Sequence, residues 1–189
     1  DPLHFSDPSP TPAGAGALAP TAEEYAPPHS LDARVKPTAF GRGGDRLALQ
    51  DRDTLARTPA ATAAAETAYA DSGITATDVD VAEVHDCFTI AEAMAIESLG
   101  IVEAGAGIVA ARDGVTTPDG DCPVNLSGGL KAKGHPVGAT GGSQIAELTR
   151  LLRGDHPNSE HAADATTGVA HNAGGTVASA VVHVLEVAE

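Results

Sequence analysis

Apolar residues recur with a helical period in three stretches of the chain. Between residues 55 and 73, five residues share one helical face, and they are Ala61, Ala64, Ala65, Ala68 and Tyr69. Gly73 follows at the point where a helix would end. Residues 90–99 and 141–152 predict two further helices, closed by Gly100 and Gly154. The small side chains of the first helix predict close packing against a neighbouring element.

Alternating polar and apolar residues predict strands elsewhere. Residues 78–84 alternate polar and apolar side chains and predict a strand that carries residues 85–88 at its C-terminal end. Residues 165–170 and 176–187 predict a hairpin, joined by a turn with the sequence His171-Asn172-Ala173-Gly174-Gly175. Residues 102–121 predict loop and turn. The pattern as a whole predicts an α/β fold with antiparallel strands near the C-terminus.

The N-terminal part of the chain is compositionally distinct. Residues 8–28 are rich in Pro, Ala and Gly, which is typical of a linker, whereas the small residues at 13–19 also suit a closely packed strand. Both alternatives stay open on the sequence. The 189 residues, 42% of them hydrophobic, predict one domain over residues 1–189. In it, residues 1–53 form a less defined entry segment and residues 54–189 form the core.

Charge and cysteine content narrow the setting. The 26 acidic and 11 basic residues give a formal charge of −15, which disfavours nucleic acid and anionic membranes as partners. This charge serves solubility alone or, as a sharper hypothesis, a halophilic protein in a salt-rich cytoplasm. The two cysteines, Cys87 and Cys122, match no disulfide framework or zinc spacing. With no apolar stretch long enough to span a bilayer and no signal region, we expect a cytoplasmic protein.

The tetrapeptide His-Asp-Cys-Phe at residues 85–88 is the first candidate for chemistry. In an extended strand, His85 and Cys87 project to the same side and can share a pocket. A cysteine there can act as a general acid or base once a neighbouring imidazole or a helix end tunes its pKa. The alternative is a small buried cysteine beside a histidine bonded to the backbone.

Two more histidines lie in glycine-rich segments. His135, in Gly-His-Pro at residues 134–136, precedes a predicted helix, where a neutral Nε2–H can donate to a thioester oxygen. The alternative is a glycine-rich turn with an incidental histidine. His171 and Asn172 supply a third imidazole and an amide. Three such clusters together predict acyl-thioester chemistry. A metal site is not predicted, because no close repeated ligand spacing occurs.

These residues resemble the C-terminal half of a thiolase. Residues 85–88, 123–141 and 171–175 carry the resemblance, with residues 74–187 the most specific part. The chain is most similar to the sterol-carrier-protein type and its archaeal relatives, which have a His-Asp-Cys-Phe loop. The resemblance implies one half of a thiolase-like fold, a mixed five-stranded sheet covered by helices. It also implies an acyltransferase of lipid metabolism that condenses acyl-CoA thioesters or thiolyses 3-ketoacyl-CoA.

The resemblance also implies roles for individual residues. Cys87 would move the α-proton, His135 would polarise the thioester oxygen and His85 would help to hold a water in the oxyanion hole. The implied catalytic residues are Cys87, His135, His85 and His171. The implied substrate-binding residues are Asn172, Ser127, Gly128 and Gly174. No metal or prosthetic group is implied, and coenzyme A enters as the thioester substrate.

The nucleophilic cysteine of a thiolase comes from the N-terminal half, and neither Cys87 nor Cys122 matches its motif; Cys122 is interpreted as incidental. The chain starts at Asp1, at a place that resembles the middle of the family's sequence, so we expect a fragment. Ala13 stands where the family usually has Asp, so the resemblance implies no role for a carboxylate there. The partners of the chain would be acyl-CoA and an N-terminal half or subunit. A second hypothesis stays open. That hypothesis is a non-catalytic thiolase-like scaffold or acyl-CoA-binding subunit. An exposed apolar face predicts a homo-oligomer.

Overall fold

The computed structural model describes residues 4, 6–26 and 32–188 and has a mixed β-sheet at its centre. The strands are β1 (Val35–Gly44), β2 (Val81–Glu83), β3 (Thr167–Gly174) and β4 (Ser179–Val187). They lie in the order β1-β4-β3-β2, with β2 and β3 parallel and the other two pairs antiparallel. The predicted α/β class is confirmed.

The described residues also form five helices: α1 (Pro59–Ser72), α2 (Thr89–Ser98), α3 (Gly107–Arg112), α4 (Gly129–Lys133) and α5 (Thr140–Arg153). Short 3₁₀ turns occupy Glu23–Tyr25, Leu49–Asp51, Ala76–Asp78 and Ser159–Ala162. The three predicted helices are confirmed as α1, α2 and α5. Gly73 and Gly154 cap α1 and α5 in the left-handed conformation, with φ of 78° and 79°. The prediction of loop and turn throughout residues 102–121 is wrong, because α3 lies there.

One face of the sheet is covered by α1 at very short distance. A Cβ added at Gly41 would collide with the carbonyl oxygen of Ala64, and one at Gly43 with that of Ala60. Because these glycines have no side chain, the helix backbone rests directly on β1. The predicted close packing of the alanine face is thus confirmed, and its partner is a strand that the sequence pattern did not reveal.

The opposite face of the sheet is covered by α5. Leu148 and Leu151 of this amphipathic helix are buried with Val81, Ala170 and Leu185. Neighbouring residues of β3 contribute to different layers, since Val169 belongs to the cluster on the α1 side. The domain therefore has three layers, with α1 and α2 on one face of the sheet and α5 on the other.

The C-terminal hairpin is confirmed, but its turn lies further along the chain than predicted. β3 continues to Gly174, which pairs with Ser179, and the turn comprises residues 175–178. His171 and Asn172 are therefore strand residues. Continuous pairing with β4 holds them extended, and Ala178 N–H closes the turn by donating to Gly175 O at 3.0 Å.

The sheet has four strands in the described part of the chain, not the five that the resemblance implied. A single parallel bridge between Ala82 and Val124 stands beyond β2. It does not grow into a strand, because Pro123 has no N–H to donate and Asn125 has a left-handed φ of 55°. The strand alternative for residues 13–19 is also wrong, because this stretch is exposed and contacts the start of α5 instead of a strand edge.

Among the described residues, the helices are all too short or too polar to cross a lipid bilayer.

Candidate active site

The ends of two parallel strands bring His85 and Asn172 together. β2 and β3 run side by side, so their C-terminal ends reach the same edge of the sheet. His85 follows β2 by two residues, and Asn172 lies near the end of β3. The Asn172 Nδ2 donates to His85 Nδ1 at 3.2 Å. This edge is the centre of the candidate site.

His135 joins the site from the segment between α4 and α5. Its ring meets that of His85 edge to face, with ring centroids 4.8 Å apart and planes at 90°. On its other side, Nδ1 of His135 is 2.7 Å from the hydroxyl of Thr140, in the first turn of α5. The two histidines that the sequence placed in separate motifs are thus in direct contact.

Burial keeps His85 neutral. Its side chain is buried, and desolvation, followed by repulsion from His135, lowers the pKa of His85 to about 4. At neutral pH the ring therefore has one N–H and one lone pair, and its hydrogen-bond partners decide which nitrogen has the proton.

The Cys87 backbone is tied to the same place by the N-terminal segment, residues 6–16. Ser9 N–H donates to Cys87 O at 2.9 Å, and the next residue, Pro10, accepts from His135 N–H at 2.7 Å. Adjacent residues of one segment therefore hold the Cys87 loop and the His135 loop. Lys131 Nζ adds a contact of 3.0 Å to Pro8 O.

The environment of Cys87 favours the thiol over the thiolate. Burial, and then the neighbouring carboxylate of Asp86, raise the pKa of this half-buried cysteine. No imidazole lowers it, contrary to what we expected from His85. Because β2 ends at Glu83, residues 84–88 leave the strand, and strand alternation does not determine where the side chain of Cys87 points.

Asp86 links the Cys87 loop to α4. Its Oδ1 accepts the Leu130 N–H at 2.7 Å and its Oδ2 accepts the Lys131 N–H at 3.3 Å. Gly129, with φ of 59°, permits this approach, since an added Cβ would collide with the Asp86 carboxylate. The negative charge at the start of α4 thus fixes the loop beside the site.

His171 does not join the hydrogen bonds of the site through its ring. Strand alternation places it on the α1 side with Val169, whereas Asn172 faces α5. The ring is fully buried, and neither nitrogen has a hydrogen-bond partner. Burial, followed by His85, lowers the pKa of His171 to about 3. Its carbonyl oxygen, in contrast, does face the α5 side.

The other predicted binding residues have their own places in the fold. The Ser127 N–H and hydroxyl both donate to the buried carboxylate of Glu83, at 3.0 and 2.5 Å. Gly128 begins α4 with φ of 88°, and Gly174 ends β3 in an exposed position. Burial raises the pKa of Glu83 although Ser127 and Lys133 oppose this shift. Ser127 is thus occupied within the fold.

Sequence reasoning missed Gln144 and Thr140. Gln144 Nε2 donates to His171 O at 2.9 Å, and its Oε1 accepts from Asn172 Nδ2 at 3.0 Å. A sequence pattern could have identified both residues. Residues 140, 144, 148 and 151 share the buried face of α5, so a polar side chain at 140 or 144 interrupts an apolar stripe.

A cavity of about 150 Å³ adjoins this network. Thr140 and Gln144 line it from α5, Gly14 and Ala15 from the N-terminal segment, and Lys133 from α4. Within residues 4, 6–26 and 32–188, no three His, Cys, Asp or Glu side chains are grouped so that they could hold a metal ion.

Comparison with known proteins shows the family to which the chain belongs. A family model described as thiolase C-terminal domain-like matches residues 41–187. The chain belongs to the thiolase family. An acetyl-CoA acetyltransferase of Methanothermobacter thermautotrophicus is 44% identical over 188 residues, covering 97% of this chain and 48% of the relative. One of Methanocaldococcus jannaschii is 37% identical, covering 98% and 48%.

Two further matches are a human relative and a solved structure. Human sterol carrier protein 2 is 47% identical over 92 residues, which cover 49% of this chain and 17% of that protein. A solved Ltp2-ChsH2(DUF35) aldolase has a TM-score of 0.69 at 24% identity, over 81% of this chain and 39% of that one. The latter shows the thiolase-like fold. The chain spans about half the length of the acetyltransferases that it matches.

Proposed function

We propose that this chain is the acid/base and oxyanion part of a thiolase-type acyltransferase that cleaves 3-ketoacyl-CoA or condenses acyl-CoA thioesters. The observation that carries the proposal is the contact between His85 and His135, whose ring centroids are 4.8 Å apart. His85 belongs to the same loop as Cys87. An N-terminal half, as part of the same polypeptide or as a subunit, would supply the nucleophilic cysteine.

His135 would stabilise negative charge on the thioester oxygen. The Thr140 hydroxyl has one proton, which it can give to His135 Nδ1 at 2.7 Å or to Pro136 O at 3.2 Å. The shorter contact favours donation to Nδ1. The proton of a neutral His135 then lies on Nε2, where it can be donated to an oxyanion.

Cys87 would act as the acid in the cleavage direction. The nucleophilic cysteine adds as its thiolate to the 3-keto carbon, and the bond between C2 and C3 then breaks to leave an acyl-enzyme and the enolate of acetyl-CoA. The Cys87 S–H bond then breaks, its proton passes to C2, and a thiolate remains at Cys87. A raised pKa suits this step, because it keeps the thiol protonated at neutral pH.

The setting of the protein extends the same proposal. Acyl-CoA would be the ligand, with coenzyme A entering as a thioester and not as a resident cofactor. We place this chemistry in lipid metabolism, in a cytoplasm that keeps Cys87 and Cys122 as free thiols. Exposed apolar side chains, among them Phe40, Leu47 and Ile108, would meet the N-terminal half or a second copy. The charge of −15 supports the halophilic hypothesis.

A chimera tests the proposal. The chain is fused behind the N-terminal half of the Methanothermobacter acetyltransferase, in place of the part that it matches, and acetoacetyl-CoA cleavage is followed with coenzyme A present. We expect turnover, reduced by about 10²–10³-fold in His135→Ala and by about 10²–10⁴-fold in Cys87→Ala. Cys122→Ala, which removes a buried thiol outside the site, is the control and should retain the rate.

The outcomes separate the two hypotheses. A chimera that folds and binds acyl-CoA without cleaving it would favour the non-catalytic scaffold or acyl-CoA-binding subunit. Full rates in both His135→Ala and Cys87→Ala would show that these residues are not the catalytic groups.

A further inference from the structure

We propose that Gln144 is a positioning residue that sets the tautomer of His85, through a directional chain of hydrogen bonds that starts at the backbone carbonyl of His171. The chain runs from His171 O through Gln144 and Asn172 to His85 Nδ1. For its effect on rate the inference rests on the proposed function, whereas the tautomer itself does not.

The backbone carbonyl of His171 fixes the direction of this series of hydrogen bonds. A backbone carbonyl accepts hydrogen bonds and cannot donate them. The Gln144 nitrogen must therefore face His171 O, and the observed Nε2 to O distance is 2.9 Å. This orientation turns Gln144 Oε1 away from His171 and towards Asn172, where it is an acceptor.

Asn172 passes the direction on. Its Nδ2 has two protons and two acceptors within reach, Gln144 Oε1 at 3.0 Å and His85 Nδ1 at 3.2 Å. With the amide reversed, two oxygens would face each other across a buried contact, since Gln144 is 1% exposed. Gln144 thus holds the Asn172 amide with its nitrogen towards His85.

The consequence falls on His85. A neutral imidazole that accepts at Nδ1 has its proton on Nε2. The donor is thereby kept on the side of the ring away from Asn172, available to the reacting oxygen or to a water beside it. Without these hydrogen bonds from Gln144, the Asn172 amide could present its oxygen to His85 Nδ1. The imidazole proton would then move to Nδ1.

Nuclear magnetic resonance determines directly which ring nitrogen of His85 has the proton. The full chain is labelled with ¹⁵N-histidine at pH 7.5, and long-range ¹H–¹⁵N correlations of His85 are assigned by their loss in His85→Asn. We expect the Nε2–H form to exceed the Nδ1–H form at least tenfold in the unaltered chain. In Gln144→Leu the ratio should fall to within about threefold of unity.

Two further variants keep the test decisive. Leu148→Met, one turn along the same face of α5, is the control and should leave the tautomer ratio unchanged. Gln144→Met, which keeps the side-chain length, replaces Gln144→Leu if the latter does not fold. Asn172→Asp places an acceptor at Nδ1 in either orientation and should convert His85 to the Nδ1–H form.

An unchanged ratio in the folded Gln144 variant, or an Nε2–H His85 in Asn172→Asp, would overturn the proposal. In the chimera, Gln144→Leu should lower kcat about tenfold with little change in KM. A chimera that is inactive with the unaltered chain would count against the proposed function, while the resonance ratios would still decide the role of Gln144.

Discussion

The rings of His85 and His135, fifty positions apart in the chain, meet edge to face with their centroids 4.8 Å apart. The contact depends on both sides of the site, since His85 follows β2 and His135 precedes α5. Two imidazoles at this distance disfavour a double positive charge. The pair is therefore arranged to act as hydrogen-bond donors and acceptors, and this has a consequence for stability.

Acidification from pH 6.5 towards pH 4 should destabilise the chain, and the loss begins above the pH at which ordinary carboxylates titrate. The folded pKa of His85 is about 4, below the value of 6.5 for an unfolded histidine, so the unfolded state binds more protons as the pH falls. The folded state keeps the full contribution of neutral His85 to its stability above pH 6.5, and it loses this contribution as the pH falls towards 4. For His85 the loss at pH 5 is about 2 kcal/mol. Urea unfolding followed by circular dichroism between pH 5 and 7.5 measures it.

The matched variant is His85→Asn, in which the slope of unfolding free energy against pH should be smaller. Burial of His171 acts in the same direction as His85, whereas burial raises the pKa values of Glu83 and the half-buried Glu92, which therefore act in the opposite direction. A slope that is the same in His85→Asn would contradict a neutral, buried His85.

Gly43→Ala should weaken the packing of α1 on β1. Its Cβ would collide with Ala60 O, so helix and strand must move apart, at a cost of about 1–3 kcal/mol. Gly44→Ala is the control, because its Cβ would meet nothing closer than Ala178 O at 4.0 Å. Thermal unfolding compares the two. Equal midpoints for both variants would show that the helix does not rest on the glycine.

Thr176→Asn should stabilise the hairpin between β3 and β4. Thr176 and Val177 have φ of 54° and 59°, in the left-handed region where β-branched residues are strained and Asn is tolerated. The exposed Thr176 side chain loses little packing, so we expect a gain of about 0.5–1 kcal/mol in unfolding free energy. Thr176→Val keeps the β-branched shape and should give no gain. A loss of stability in Thr176→Asn would argue against the left-handed turn.

The two thiols should differ in reactivity. Burial, followed by Asp80, raises the pKa of the buried Cys122 to about 12, which reduces its thiolate fraction roughly a thousandfold. Cys87 is half-buried, so alkylation of the folded chain should modify it first. Mass spectrometry after iodoacetamide treatment measures the order, with urea-unfolded chain as the reference. Equal labelling of both cysteines in the folded chain would contradict the burial of Cys122.

Local sequence determined the helices and the order of the motifs. The small-residue face of α1 and the glycines that end α1 and α5 are short-range signals, so their positions follow from residues three or four apart. The strand before His85 was likewise visible as alternation, but the predicted bounds 78–84 are too wide, because β2 comprises only residues 81–83 and Asp78 ends a 3₁₀ turn. The motifs around His85, His135 and His171 also sufficed to indicate the thiolase family.

Tertiary structure alone decided β1 and the partners within the site. β1 contains Pro37, Gly41 and Gly43, which are poor strand formers, and it exists because β4 pairs with it and α1 packs on it. Likewise, the placement of Asn172 against Gln144, with His171 on the other sheet face, depends on the register of β3. Such contacts join residues far apart in the chain, and no periodicity within one segment can specify them.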